Sequence, residues 1–167
     1  MTGRAAARVS LAGAGKSSVA TGVAVLDHLL AELADTGRFE LRLEIAPDEP
    51  EAEVDTAGAA LGEAFASLLT SGAARGRGVG VVPAEEALAM VVVEASGRPL
   101  VVSNADLTST RAGGLRTDLA AAFLHGLAEA AGLTIHVRLI EGEDSQHVLS
   151  AIFKALGAAL AEACAEG

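Results

Sequence analysis

The sequence predicts an α/β (α+β) fold made of two duplicated halves, each a small sheet covered on one face by two helices. Three observations predict it. The first is an internal repeat: laying Leu61-Gly62 over Leu156-Gly157 sets Asp55 over Ser150, Ala52 over His147 and Glu51 over Gln146 without a gap. Upstream, Leu29–Gly37 lies over Phe123–Gly132 and Glu40–Glu44 over Ile135–Leu139, although alanine-rich helices also align by composition alone. The second is that helical and alternating periodicities follow one another in the same order in both halves. The third is composition: 51% hydrophobic but only 2% aromatic, which leaves Ala, Val and Leu to form a core of closely packed helices and strands. The chain is accordingly read as a single domain of two pseudo-repeats, about 1–80 and 81–167.

Taken in order, Arg8 to Ala12 forms a short first strand, and a turn with a second strand spans Ala14 to Val19. Gly15-Lys16-Ser17 has the look of a phosphate loop, but that motif needs a glycine where Ser10 stands, and a helix after the loop where a strand is expected. A helix from about Val23 to Asp35 turns Leu26, Leu29, Leu30 and Leu33 inward and leaves His28 off the apolar stripe. Phe39 to Ile45 alternates as a half-buried strand. The five carboxylates from Asp48 to Asp55 suit a solvated loop and the start of a second helix, which runs to about Leu69.

Ser71 to Gly80, with Arg75 and Arg77 between glycines, reads as a hinge between the halves. Ala87–Glu94 and Leu100–Ser103 are strands on either side of the turn Ser96-Gly-Arg-Pro99. The third helix covers about Asp118 to Ala131 and the next strand Leu133 to Ile140. The last helix enters through Asp144 and Ser145, both good capping residues, with Val148, Leu149, Ile152, Phe153 and Leu156 on its apolar face. Each half thus reads strand, strand, helix, strand, helix.

Composition excludes several function classes. One cysteine, Cys164, supports neither a disulfide framework nor a cysteine-type zinc site. Twelve basic residues against 22 acidic give a net charge of −10, with no basic run and no aromatic platform, so nucleic acid is not an expected partner. No membrane span and no signal-peptide core is evident, and a cytoplasmic protein is expected.

Several motifs in register, Thr21-Gly-Val, Leu26-Asp-His-Leu-Leu30, Ser96-Gly-Arg-Pro99, Leu133-Thr-Ile-His-Val-Arg138 and Phe153-Lys-Ala-Leu156, resemble the imidazoleglycerol-phosphate dehydratase family of histidine biosynthesis. The resemblance runs from about Arg8 to the final helix. It implies two duplicated half-domains, a closed cage of 24 subunits, and two-manganese sites assembled from more than one subunit. Such metals are held by imidazole and carboxylate, and let an imidazole substrate lose a ring proton before a hydroxyl leaves as water.

Carried over residue by residue, the resemblance implies that His28 and His136 stand at single-ligand positions and that His147 is the second histidine of the later His-His-x-x-Glu. The rest departs: Glu51 and Ala52 stand for the earlier histidine pair, Asp55 for its Glu, Gln146 for the first histidine of the later pair and Ser150 for its Glu. On the substrate side Arg98 and Lys154 remain, while the hinge arginine falls on Gly76, between Arg75 and Arg77. An acidic residue expected before Asp27 is missing, and so is a serine- and lysine-bearing tail. The residual metal set is therefore His28, Asp55, His136 and His147, with Glu51, Glu53 and Asp144 as replacement donors, and manganese is expected to be absent or weakly bound.

Two function classes follow. In the first, the chain is a non-catalytic relative keeping fold and assembly, partnered with itself or with an active homologous subunit. In the second, it is a manganese-dependent dehydratase with a reduced site, or a lyase for a related small phosphorylated imidazole. A plain binding module using Arg98 and Lys154 is a third reading.

Overall fold

The computed structural model describes residues 5–10, 16–106, 111–112 and 115–167. Along the chain run β1 (Ala5–Ser10), β2 (Ser17–Ala20), α1 (Ala24–Gly37), β3 (Glu40–Ile45), α2 (Pro50–Leu69), β4 (Arg77–Ala84), β5 (Ala87–Glu94) and β6 (Leu100–Ser103). There follow β7 (Arg111–Ala112), β8 (Leu115–Arg116), α3 (Thr117–Ala131), β9 (Thr134–Glu141) and α4 (Ser145–Cys164). The expected mixed α/β fold is present. Gly15, on which the phosphate-loop reading turned, and Leu11 to Ala14 lie outside the described residues.

The two sheets repeat one plan. In the first, β3 is central, with β1 antiparallel on one side and β2 parallel on the other. In the second, β9 has β5 antiparallel on one side and β6 parallel on the other, and β4 adds an outer strand beside β5. β7 and β8 pair separately. Alternation sets the faces: Leu41, Leu43 and Ile45 of β3 are buried while Glu40, Arg42 and Glu44 are exposed, and β5 likewise buries Ala87, Ala89, Val91 and Val93. The helices lie between the sheets, with α1 and α2 against the first, α4 against β4 and β5, and α3 against β6.

Where the halves meet, α1 packs on α4 and α2 on α3. Glycine sets the spacing. A Cβ on Gly157 would stand 2.2 Å from the Leu33 carbonyl oxygen, and one on Gly62 would stand 2.9 Å from that of Leu127. The phenylalanines pair within their own halves, Phe39 edge-on to Phe65 at 5.1 Å and Phe123 tilted on Phe153 at 5.7 Å, and all four are fully buried.

The structure corrects two expectations. The stretch Ser71–Gly80 is not all hinge, because a strand begins at Arg77. Its first two inward residues are Gly78 and Gly80, and a Cβ at either would stand 2.0 or 2.1 Å from a carbonyl oxygen of α4. The helix backbone thus fills the place of inward side chains, and the apolar half of the alternation is missing from the sequence. Second, α4 is long and apolar enough to cross a membrane by length and composition. Its apolarity is that of a core helix, with Ile152, Phe153, Leu156 and Leu160 fully buried. Near its end Cys164 is buried too, and that burial pushes the thiol up to about 11.

Candidate functional site

The segment leading into α1 is fixed by a local hydrogen-bond knot. Thr21 is fully buried, its hydroxyl donates to the Asp27 carboxylate at 2.5 Å, and its backbone N–H donates to the same oxygen at 2.9 Å. Asp27 is thereby committed to holding the helix entrance. The next residue, His28, points outward with its side chain 66% exposed, and its Nε2 lies 3.4 Å from Glu32, one turn further on.

At the other helix the expected cap is present. The Asp144 carboxylate accepts from the backbone N–H groups of Gln146 and His147, at 3.0 and 3.1 Å. Beside it the turn between β4 and β5 places Glu85 in the left-handed region, φ 53, and brings Glu86 against the helix mouth. Glu86 accepts from the N–H groups of Glu143 and Asp144 at 3.2 and 3.1 Å and pairs through its other oxygen with His147 Nδ1 at 2.5 Å. The His147 contact, then the backbone donors, hold the Glu86 carboxyl down at about 2, and the same contact raises the His147 imidazole above its ordinary value. The contact with Glu86 thus favours the protonated form of the His147 imidazole.

Between α1 and α4 lies a cavity of about 200 Å³, bounded at one end by Ala84 and Glu85. It brings together His28 and Glu32 with Gln146, His147, Ser150 and Lys154. Glu32 accepts from the Ser150 hydroxyl at 2.6 and 2.7 Å and lies 3.5 Å from the Lys154 ammonium. A larger concavity, about 810 Å³, lies by the first sheet beside Arg8, Arg42 and Glu63, and contains none of the sequence-predicted site residues.

Of those predicted residues, the structure brings His28, His147 and Lys154 to one cavity and leaves the rest elsewhere. Asp55 is exposed on α2. His136 is on the outer face of the second sheet, between Val92 and Val102 on the neighbouring strands. Arg98 is in the turn before β6, where its carbonyl accepts from the Thr134 hydroxyl at 3.0 Å. Arg75 donates to the Glu166 carbonyl at 3.4 Å, and Arg77 opens β4. Among the replacement donors, Asp144 caps α4, and Glu53 is buried, accepting from the Asp48 N–H.

Two carboxylates that organise the site escaped the sequence reading: Glu32, which lines the cavity, and Glu86, which lies outside the lining and pairs with His147. Glu32 had a readable signal, since it stands four residues after His28 on one helix face. Glu86 had none, being 61 residues from His147.

Manganese, which the family resemblance implies, requires several imidazole or carboxylate donors around one point. Among the described residues of one chain, no group of three or more such side chains is arranged to hold a metal. In the cavity itself His147 Nδ1 is taken by Glu86, Glu32 is taken by Ser150 and Lys154, and Gln146 and Ser150 are weak neutral donors. The donor set of this cavity does not fit the metal.

Comparison with known proteins gives a consistent picture. The family profile described as imidazoleglycerol-phosphate dehydratase matches residues 21–160. A relative of that name from Clostridium botulinum is 38% identical over 159 residues, covering 93% of this chain and 81% of the relative. Another from Aromatoleum aromaticum is 40% identical over 163 residues, covering 94% and 83%. Among solved structures, imidazoleglycerol-phosphate dehydratase from Staphylococcus aureus superposes with a TM-score of 0.88 at 29% identity, over 98% of this chain and 95% of that one. The Pyrococcus furiosus protein gives 0.84 at 28% identity, over 98% and 90%.

Proposed function

The chain belongs to the imidazoleglycerol-phosphate dehydratase family, and we propose that it acts at the dehydratase step of histidine biosynthesis, as a carbon–oxygen lyase on a phosphorylated imidazole. One observation carries the reading: likeness to dehydratases extends over 93% of the chain, and the same chain keeps His28, His147 and Lys154 at one cavity. These comparisons favour an active dehydratase over the non-catalytic relative.

Dehydration needs a group to protonate the departing hydroxyl and a group to take a proton from the substrate. His147, whose contact with Glu86 favours its protonated form, is suited to the first task, with its Nε2 free of Glu86. The exposed His28 ring, at the same cavity beside Glu32, is the group suited to the second, because Glu32 itself is engaged by Ser150 and Lys154. Because this cavity's donors do not fit a metal, no step is routed through one.

Self-association belongs to the same reading. Val79, Val81, Leu100, Val102 and Ile140 are exposed on the second sheet's outer face, alongside His136. A second copy covering that face would remove an apolar patch from water and bring His136 into an enclosed setting. A cytoplasmic location is part of the proposal.

The non-catalytic reading keeps one specific observation in its favour, that Ala52 and Ser150 stand at ligand positions and cannot replace a His and a Glu. The deciding experiment is an assay of imidazole acetol phosphate formation by the purified protein, with and without added manganese, beside His147→Gln. Turnover that falls at least about a hundredfold in the variant supports the dehydratase. No turnover under either condition supports the non-catalytic subunit.

A further inference from the structure

Glu32 is the least exposed acid of the cavity, its side chain 16% accessible, and three groups surround its carboxylate. The Ser150 hydroxyl donates at 2.6 and 2.7 Å, the Lys154 ammonium lies at 3.5 Å and His28 Nε2 at 3.4 Å. Two pairs spaced by four residues, His28 with Glu32 on α1 and Ser150 with Lys154 on α4, thus face each other across the space between the helices. A carboxylate so enclosed has to be compensated by a nearby cation or by strong donors.

We propose that in this cavity a cation belonging to the chain, the Lys154 ammonium, takes the place of a bound divalent metal, with Glu32 as the carboxylate it neutralises and Ser150 as the donor that fixes that carboxylate. A divalent ion entering here would have to draw Glu32 away from Ser150 and would then stand close to Lys154, a like charge. It would find His147 able to offer only Nε2, because Nδ1 is engaged by Glu86. With the Glu32 charge balanced by Lys154 and a second carboxylate, Glu85, only at one end, the cavity is built for a small polar ligand that hydrogen-bonds to the Gln146 amide and the exposed His28 ring. Lys154 is then a positioning residue for Glu32. The inference concerns the cavity of the functional reading but does not depend on turnover, so either can fail alone.

The test uses the full chain. Crystals soaked in millimolar manganese chloride are measured at the manganese edge, and Glu32→Gln, Lys154→Met and the double variant are compared by thermal denaturation. The expected result is no anomalous peak within coordination distance of His28, Glu32 or His147. Lys154→Met alone is expected to lower Tm by several degrees, with the double variant recovering part of that loss, because the bare carboxylate is then gone. A manganese peak coordinated by any of those three residues overturns the proposal. Tm shifts that add without coupling overturn it as well.

Discussion

His147 illustrates how a single contact sets a pH response. The Glu86 carboxyl is lowered from 4.5 to about 2 in the folded chain, so its contribution to stability is present above 4.5 and is lost as pH falls toward 2. The His147 imidazole is raised above 6.5, so its contribution is complete below 6.5 and is lost as pH rises through the higher folded value. The pair therefore fastens the β4–β5 turn to α4 most firmly between about 4.5 and 6.5. Replacing His147 by Gln is expected to flatten the Tm profile on the alkaline side of that window, and a Tm series across pH with both proteins checks it. The histidine was legible in the sequence as a residue at a helix mouth. Its partner was not, because a turn residue gains meaning only when the sheet carries it to the helix.

At the level of elements, the helices and most strands were legible because their apolar positions recur at the right period. α1 begins and ends within two residues of the expected span, and β5 and β6 match it at both ends. β4 was hidden because its first two inward residues are glycines, whose reason for being there is the backbone of another element. The same physics makes helix contacts sensitive to one carbon atom. Gly157→Ala would drive a methyl into the Leu33 carbonyl, and overpacking of this kind costs about 1–3 kcal/mol. Urea denaturation is expected to show a lower midpoint with an unchanged slope, and an unchanged midpoint would remove glycine spacing as the determinant of the α1–α4 contact.

For the molecule as a whole, the two sheets differ in what they present to the outside. The first shows Arg8, Arg42, Glu40 and Glu44, and the second shows valines, Leu100 and Ile140. If copies meet through the second sheet, Val81→Asp combined with Val102→Asp is expected to shift the sedimentation coefficient toward that of a single chain while far-UV circular dichroism is retained. An unshifted coefficient would place the contact elsewhere. The candidate site was only partly legible at this scale. Motif order located His28, His147 and Lys154, and the three-dimensional chain gathers them, but His136 points away from them on an outer sheet face. The alternation Ile135-His136-Val137 sets His136 opposite the buried face of β9, but which elements that outer face turns toward is decided only by how the sheets and helices stack.

Cys164 lies in the last turn of α4, the helix against which α1, β4 and β5 all rest. With its sulfur enclosed and its thiolate disfavoured, it reacts with an alkylating reagent only when that end of the helix leaves the core. Being the chain's one thiol, it gives every molecule a single, naturally placed clock for that event. The rate of its labelling in native buffer reads how often that end of the helix opens, without an engineered probe.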